Sequence, residues 1–516
     1  MPSIPSMIAA DYGVMGDILR ERAAEAPDRP AVIMETGEAV TYAQFDALAD
    51  RVAAALQRDG VAPGEAVAVC ALSSIAYAAV FLGGLRAGIA VAPLAPSSTP
   101  QAIAGMVADC GARLFFVDAG VAEAQKPAPV AARTIALDGS AAGEAFEAWL
   151  APEGARPAPV EIGPEHPFNI IYSSGTTGAP KGIVQSHGMR WKHVFRGDAV
   201  GYGPDAVSLL STPLYSNTTL VCFFPTLAGG GTVVLMKKFD AGRFLELSQA
   251  HRMTHAMLVP VQYRRLLAHP DFDRFDLSST RLKFCTSAPF APELKAEVLK
   301  RWPGGLVEYF GMTEGGGTCI LMAHEHPDKL HTVGQPAPGH DIRLIDEDGV
   351  EVATGEIGEI VGCSPATMNG YHGQPGKTAD AIWTSPDGRR FVRTGDVGRF
   401  DAEGFLTLMD RKKDMIISGG FNIYPSDLEA VVAAHPDVLE AAVVGVPSEA
   451  WGETPVAFVA LKPGAAADAE TVRAFANERL GKTQRLSDLV LVDALPRSHI
   501  GKVLKRDLRD GWTAKG

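Results

Sequence analysis

The chain has 516 residues, too many for one compact core, so two or more domains are expected. Hydrophobic residues make up 47% and charged residues 21%, an ordinary balance, and the net charge of −13 argues against a nucleic-acid partner. Phosphate ligands stay open, because local donors bind them whatever the net charge.

Six cysteines (Cys70, Cys110, Cys222, Cys285, Cys319 and Cys363) are far apart and form no C-x-x-C pair. Buried free thiols in a reducing cytoplasm are the simplest reading. The first residues, MPSIPSMIAADYG, lack the basic flank and apolar core of a signal peptide. Residues 66–85 and 207–236 carry almost no charge. Ser73–Ser74 and Gly83–Gly84 interrupt the first; Pro213, Asn217, Pro225 and Gly229 to Gly231 break the second. No transmembrane span is expected.

In chain order, residues 11–30 read as an entry helix and a turn. Residues 41–59 carry Phe45, Leu48, Val52 and Leu56 at helical spacing, with Thr41 as N-cap. Then strand-like and helix-like segments alternate: 66–72, 75–86, 89–93, 101–109 and 113–117. Such alternation predicts parallel α/β layers. Residues 127–159 are rich in Ala, Pro and Gly and read as a surface connection with a short helix near 144–150. A strand is predicted over 168–172, a helix over 189–197, and further elements at 209–214, 233–235, 244–251, 261–268, 281–286, 292–302 and 306–309. From Gly339 the pattern changes to short strands at 341–346, 358–362, 391–394, 397–401 and 405–409, a small antiparallel or barrel-like subdomain. The cluster 410–413 marks a boundary. Beyond it lie a helix at 426–435, strands at 438–446 and 454–461, a helix at 469–480 and a basic tail. The expected fold is a large α/β N-terminal domain, 1–412, with a smaller mobile α+β C-terminal domain, 413–516.

The stretch IIYSSGTTGAPKGIVQSH holds the densest chemistry. Ser173, Ser174, Gly175, Thr176, Thr177, Gly178 and Lys181 follow an apolar run without a break. Small hydroxyls, close-approaching glycine backbone and a lysine suit a polyphosphate. The spacing G-x-x-G-x-x-K is not that of a Walker A loop. A Ser/Gly hairpin turn is the alternative. Thr313 and Glu314 directly follow a strand, where α/β sheets place ligands, although a glutamate there also suits a helix start. Asp396 offers only acceptors, fitting two ribose hydroxyls, or is a turn aspartate in Thr394–Gly395–Asp396. His324, Glu325 and His326 lack the H-E-x-x-H spacing of a helical zinc site and read as loop, and there is no G-x-S-x-G elbow.

With YFGMTEGG, RTGD, DRKKDMIISGGFNIYPSDLE and PRSHIGK in this order, the chain resembles the adenylate-forming superfamily of acyl- and aryl-CoA synthetases, luciferases and peptide-synthetase adenylation domains. It looks most like a bacterial acyl- or aryl-CoA ligase. The resemblance implies ATP, Mg2+ and CoA, with a carboxylic acid adenylated and then passed to a thiol. It places Thr313 on phosphate and Glu314 on magnesium. Asp396 and Arg411 would hold the ribose. Ser287, Ala288, Pro289 and the run Glu308, Tyr309, Phe310, Gly311, Met312 would flank the nucleotide. Tyr215, Ser216, Phe310, Gly311, Met312 and Gly315 would line the acyl pocket. Lys413 would be the pivot of the C-terminal domain, Gly419, Gly420 and Trp451 the pantetheine path, and Lys502 the cation between carboxylate and α-phosphate. A tryptophan packed in the small domain's core is the alternative for Trp451, and a solvated charge for Lys413.

The chain departs from the family pattern at Thr286–Ser287, where two glycines are usual, at Ser216, where an aromatic residue or histidine is common, and at Lys482–Thr483–Gln484–Arg485, which lacks a Lys-x-Pro turn. The uncharged segment with Tyr215, Phe223 and Phe224 suggests an aromatic or medium-to-long aliphatic monocarboxylate. The competing expectation is an adenylation enzyme loading an acid or amino acid onto a carrier protein. Oligomerisation is left open.

Overall fold

The computed structural model describes residues 7–173, 181–195, 197–411, 414–418, 421–448, 451–481, 484–497 and 502–512. The chain divides into two compact units. One holds Met1–Leu330, Pro336–Asp341 and Gly362–Val392; the other holds His331–Gln335, Ile342–Val361 and Arg393–Gly516.

The first unit contains two sheets. One runs in the order Glu144–Ala145, Arg133–Ala136, Leu114–Val117, Ala66–Cys70, Ala90–Pro93, β1 (Pro167–Ser173), β2 (Lys181–Ser186) and Gly370–Tyr371. Its pairs are parallel as far as β1; β2 then turns back antiparallel. Alternation along Ala66–Cys70 explains its burial on both sides. Val67 and Val69 join one core cluster, while Ala66, Ala68 and Cys70 join another. This is the near-continuous apolar run of a covered parallel strand.

After β2 come helix α1 (His187–Phe195) and helix α2 (Asn217–Gly229). The second sheet runs in the order Ala39–Thr41, Pro30–Met34, Thr232–Leu235, Val207–Leu210, His255–Leu258, β3 (Leu282–Cys285), β4 (Gly305–Phe310) and Cys319–Met322. From Pro30–Met34 to β4 all pairs are parallel. One large cluster joins both sheets through helix residues such as Phe45, Tyr77 and Phe223. Thr41 caps its helix as expected, in a full capping box with Gln44.

Four expectations needed correction. Residues 127–159 are not only a surface connection, because Arg133–Ala136 and Glu144–Ala145 extend the first sheet in parallel. Pro225 does not break the chain; it sits inside α2, which is buried along almost all of its length. Packing there outweighs the missing backbone donor. Thr394–Gly395–Asp396 is no turn between two strands but part of one strand, β5 (Arg390–Phe400), with Gly395 at φ +69. The expected basic tail contains a strand, Asp488–Leu491, and a helix, Lys505–Asp510.

In the second unit β5 pairs antiparallel with β6 (Leu406–Arg411). A further sheet there pairs Val438–Ser448 with Gly452–Leu461 antiparallel and adds Asp488–Leu491 in parallel. One core cluster holds Leu428, Val432, Val472 and Leu489; another holds Val444, Phe458 and Leu508. Five cysteines are buried, Cys363 is half-buried, and none is in a disulfide. No helix of the described residues is long and apolar enough to cross a membrane.

His255 lies fully buried on its strand, with Nδ1 2.7 Å from Thr254 Oγ1 and Nε2 2.9 Å from the Val200 carbonyl. Burial pushes its pKa down to about 4, against a smaller opposing pull from that carbonyl. The unfolded chain therefore takes up a proton near pH 6.5 that the native state refuses until about pH 4. The stability this contributes is present above 6.5 and lost as pH falls toward 4. Wild type should lose about 1.4 kcal/mol per pH unit more than His255→Gln across that window. Urea melts of both proteins at several pH values check this; parallel curves refute it.

Candidate functional site

The Ser/Thr/Gly loop joins β1 to β2. Residues 174–180 lie outside the described residues, but both ends are placed: Ser173 stands opposite Lys181 in the antiparallel register. The two strands thus pair antiparallel right up to the two ends of the loop. Lys181 sets its ammonium 5.0 Å from the centre of the Tyr371 ring, a cation–π distance.

The second element is the turn after β4. The strand ends at Phe310, and Gly311 to Glu314 leave the sheet at its C-terminal edge, exposed or half-buried. That edge is where parallel sheets bind ligands. The turn is closed from behind. The Met368 amide donates to the Glu314 carbonyl at 2.9 Å, and the Gly316 amide to the Ala366 carbonyl at 3.3 Å. Gly315 has φ +76, and a Cβ there would lie 1.9 Å from the Ala366 oxygen. Only glycine fits.

Tyr371 joins the two elements. Its hydroxyl donates to Glu314 Oε1 at 3.0 Å while its ring faces Lys181. Burial first, and the Glu314 charge second, hold the phenol protonated far above its ordinary range. Glu314, Tyr371 and Lys181 therefore converge from three distant parts of the sequence.

A second link lies deeper. Gln185 of β2 donates through Nε2 to the Thr313 carbonyl at 2.6 Å, and the same nitrogen is 3.5 Å from Asn217 Oδ1 at the start of α2. Arg190 of α1 donates from Nη2 to Gln185 Oε1 and from Nε to Asn169 Oδ1, the latter at 3.2 Å. The guanidinium thereby fixes which face of the Gln185 amide meets Thr313. Sequence reading missed Tyr371, Gln185 and Arg190. Gln185 lies within the quoted stretch but after its phosphate-type residues, Tyr371 and Arg190 lie outside any quoted motif, and only the three-dimensional neighbours reveal them.

Next to the turn, Ser287 adopts φ +80, which few residues with a Cβ accept. Its Oγ lies 2.7 Å from Thr218 Oγ1 on α2, and that bond ties the strained turn to the helix. Ala288 is half-buried and Pro289 exposed. The Tyr309 ring stacks on Phe284, with centroids 5.8 Å apart. Tyr215 is half-buried and Ser216 buried; burial pushes the Tyr215 hydroxyl up to about 12. Glu308 faces the core instead, its carboxylate ion-paired with buried Lys295. Burial raises its pKa against the pull of that ammonium. Any contact of Glu308 with a nucleotide would come from its backbone.

In the second unit, Asp396 of β5 stands opposite Arg411 of β6. The Arg393 guanidinium grips the buried Glu359 carboxylate with two bonds of 3.3 and 3.1 Å. The Thr394 hydroxyl donates to the Ile360 carbonyl at 2.8 Å and accepts from the Asp396 amide at 3.0 Å. The second residue of RTGD thus braces the fourth, while the first anchors the strand to Glu359. Lys413, Gly419 and Gly420 fall outside the described residues. Trp451 is 59% exposed, so it does not pack in a core. Lys502 is half-buried, beside the bridge of Arg497 with Val503. His324 sits in a turn with Nδ1 3.1 Å from the Leu306 carbonyl.

Residues 19–372 match the AMP-binding enzyme family and residues 427–502 match the AMP-binding enzyme C-terminal domain. The chain belongs to this family, the adenylate-forming superfamily, and is an AMP-forming acyl-CoA synthetase. It is 35% identical to an indoleacetate–CoA ligase of Aromatoleum aromaticum, covering 91% of this chain and 92% of that one. It is 32% identical to the fatty acid–[acyl-carrier-protein] ligase ScoC of Streptomyces coeruleorubidus, over 94% and 93%. The fold superposes on ATP-bound MatB from Rhodopseudomonas palustris with a TM-score of 0.86 and 30% identity, over 96% of this chain and 98% of that one.

If Tyr371 holds Glu314 in place, Tyr371→Phe should keep the fold but lower adenylation roughly ten- to hundredfold. That is the loss expected of one hydrogen bond to a charged group, about 1.5–3 kcal/mol. Carboxylate-dependent pyrophosphate exchange reads it; an unchanged rate removes Tyr371 from the site.

Proposed function

We propose that this enzyme activates an apolar monocarboxylic acid, aromatic or medium-to-long aliphatic, and transfers it to CoA. The acid attacks the α-phosphorus of ATP, the bond to pyrophosphate breaks, and an acyl-adenylate forms. The thiol sulfur then attacks the acyl carbon, the thiol proton passes to solvent, and AMP leaves.

The observation that carries this reading is the convergence of Lys181 and Glu314 on Tyr371, at the mouth of the Ser/Thr/Gly hairpin. Lys181 supplies charge to the phosphates, and the loop supplies amide and hydroxyl donors. The Thr313 hydroxyl would donate to phosphate, and the Glu314 carboxylate is a hard oxygen donor that would help hold a magnesium ion. When bound, that ion neutralises charge on the phosphates. Asp396 and Arg411 meet the ribose. Lys413 serves as the pivot, and Gly419, Gly420 and the exposed Trp451 flank the pantetheine arm. The domain division 1–412 and 413–516 separates nucleotide and acyl binding from this mobile part.

The acyl side is read from α2. Residues 213–229 carry no charge, and Thr218, Cys222 and Phe223 are buried along the helix. An amino-acid substrate would call for an acidic partner, and this segment has none. Relatives named for indoleacetate, ferulate and fatty acids support an apolar acid. One of the relatives is a fatty acid–[acyl-carrier-protein] ligase, which favours a carrier protein as the alternative acceptor. A panel of acids assayed for pyrophosphate exchange, then for thioester with CoA or with a phosphopantetheinylated carrier, separates the two acceptors. Exchange with no apolar acid would overturn the substrate class.

Lys502 is the sharpest test. The carboxylate and the α-phosphate repel each other, and one ammonium between them offsets this most as charge develops in the transition state. Removing such a preorganised donor costs about 10²–10³ in rate. Lys502→Ala should slow adenylation by that factor and leave transfer from supplied acyl-AMP near wild type. Lys505 is a poor control, since its ammonium pairs with Glu429 at 2.8 Å. Arg506→Ala is the better one, because Arg506 is 64% exposed and pairs only along its own helix with Asp510. Equal effects of the two substitutions, or equal slowing of both half-reactions by Lys502→Ala, would sink the assignment.

A further inference from the structure

The Arg190 guanidinium is almost fully buried, at 3% exposure. Among the described residues no carboxylate pairs with it: its partners are the amide oxygens of Asn169 and Gln185, and it lies 5.7 Å from the Phe168 ring. Burial drags its pKa down to about 9, but an arginine stays charged in a protein. A buried full charge faced only by neutral dipoles is costly, and proteins normally supply a counter-charge.

Two polar nitrogens of residues that line one cavity, Arg190 Nη1 and His187 Nε2, have no partner among the described residues. Asn169 is fully buried and His187 is 2% exposed. Burial pushes the His187 pKa down to about 3, so the ring is neutral and has one N–H to give. Arg190 and His187 line one small cavity, walled otherwise by apolar groups that include Met15, Phe168, Trp191 and Phe224. The Trp191 N–H is turned away, to the Ala10 carbonyl. The space admits about one particle of the size of a water.

Donors without acceptors, one net positive charge, apolar walls and single-particle room define one ligand class. We propose that this cavity binds a monovalent anion of halide size, chloride in the cell. A polyatomic oxyanion is too large. A water would accept hydrogen bonds but leave the charge uncompensated. The site also has a route to the chemistry. Arg190 orients Gln185, and Gln185 holds the Thr313 carbonyl. An anion that locks Arg190 steadies the turn carrying Thr313 and Glu314.

The test uses the full chain in sodium gluconate, with bromide replacing gluconate at constant ionic strength. A ligand of the native state raises the thermal midpoint with its concentration and saturates. Wild type should show this rise and Arg190→Met should not. Should Arg190→Met fail to fold, His187→Leu carries the test: the bromide concentration for half the rise should increase about tenfold, one charge-assisted hydrogen bond being lost. Bromide-grown crystals should show an anomalous peak within hydrogen-bond distance of Arg190 Nη1. A rise of equal size in wild type and either variant would mark a general salt effect and overturn the site. Density for a water alone beside Arg190 would overturn it as well.

Discussion

Gln185 donates one partly buried hydrogen bond to the Thr313 carbonyl, and the proposed active centre of the larger unit depends on it. A polyanion needs donors from two directions at fixed spacing. Here they come from an antiparallel hairpin on one sheet and from a turn at the C-terminal edge of another. Those elements are 128 residues apart at this contact. Tyr371 spans the same gap nearer the surface, and Gly315 lets the turn press against the Ala366 carbonyl without a Cβ in the way. Electrostatic preorganisation of this kind lowers a barrier because the donors need not move when charge develops.

The scaffold beneath is ordinary α/β packing. Each sheet of the larger unit is mainly parallel, and one shared cluster of core side chains ties the two together. Two buried lysines of this unit are met by partners. Lys295 meets Glu308, and Lys283 gives its ammonium to three carbonyls, those of Trp302, Pro303 and Gly304. Arg190 differs, because its Nη1 has no partner among the described residues. That contrast makes its surroundings a ligand question and not only a packing one.

Much of the fold was legible where local pattern and tertiary need agree. The helix Ile75–Arg86 lies at its expected bounds, since Ser74 caps it and the apolar run is long enough to be a buried helix. The two short strands at Arg133–Ala136 and Glu144–Ala145 were illegible, because a few residues of Ala- and Pro-rich chain carry no period. They are strands because a sheet edge already waits for them. The same override explains Pro225, which any local rule reads as a helix breaker.

The sequence by itself determined the chemistry's vocabulary: a hydroxyl-rich loop with a lysine, a Thr–Glu after a strand, an acceptor-only aspartate and a late lysine. These are readable because the proposed ligands, phosphate, magnesium and ribose, each demand particular donor types, and such a demand falls on adjacent residues. Only the tertiary structure decided which side chains hold those groups in place. Tyr371, Gln185, Asn217 and Arg190 look ordinary in the chain, and Glu308, next to the expected site, faces the core. The reason is physical. A binding group must carry a specific chemistry, but a positioning group needs only reach and a free hydrogen bond, and reach is a property of the fold.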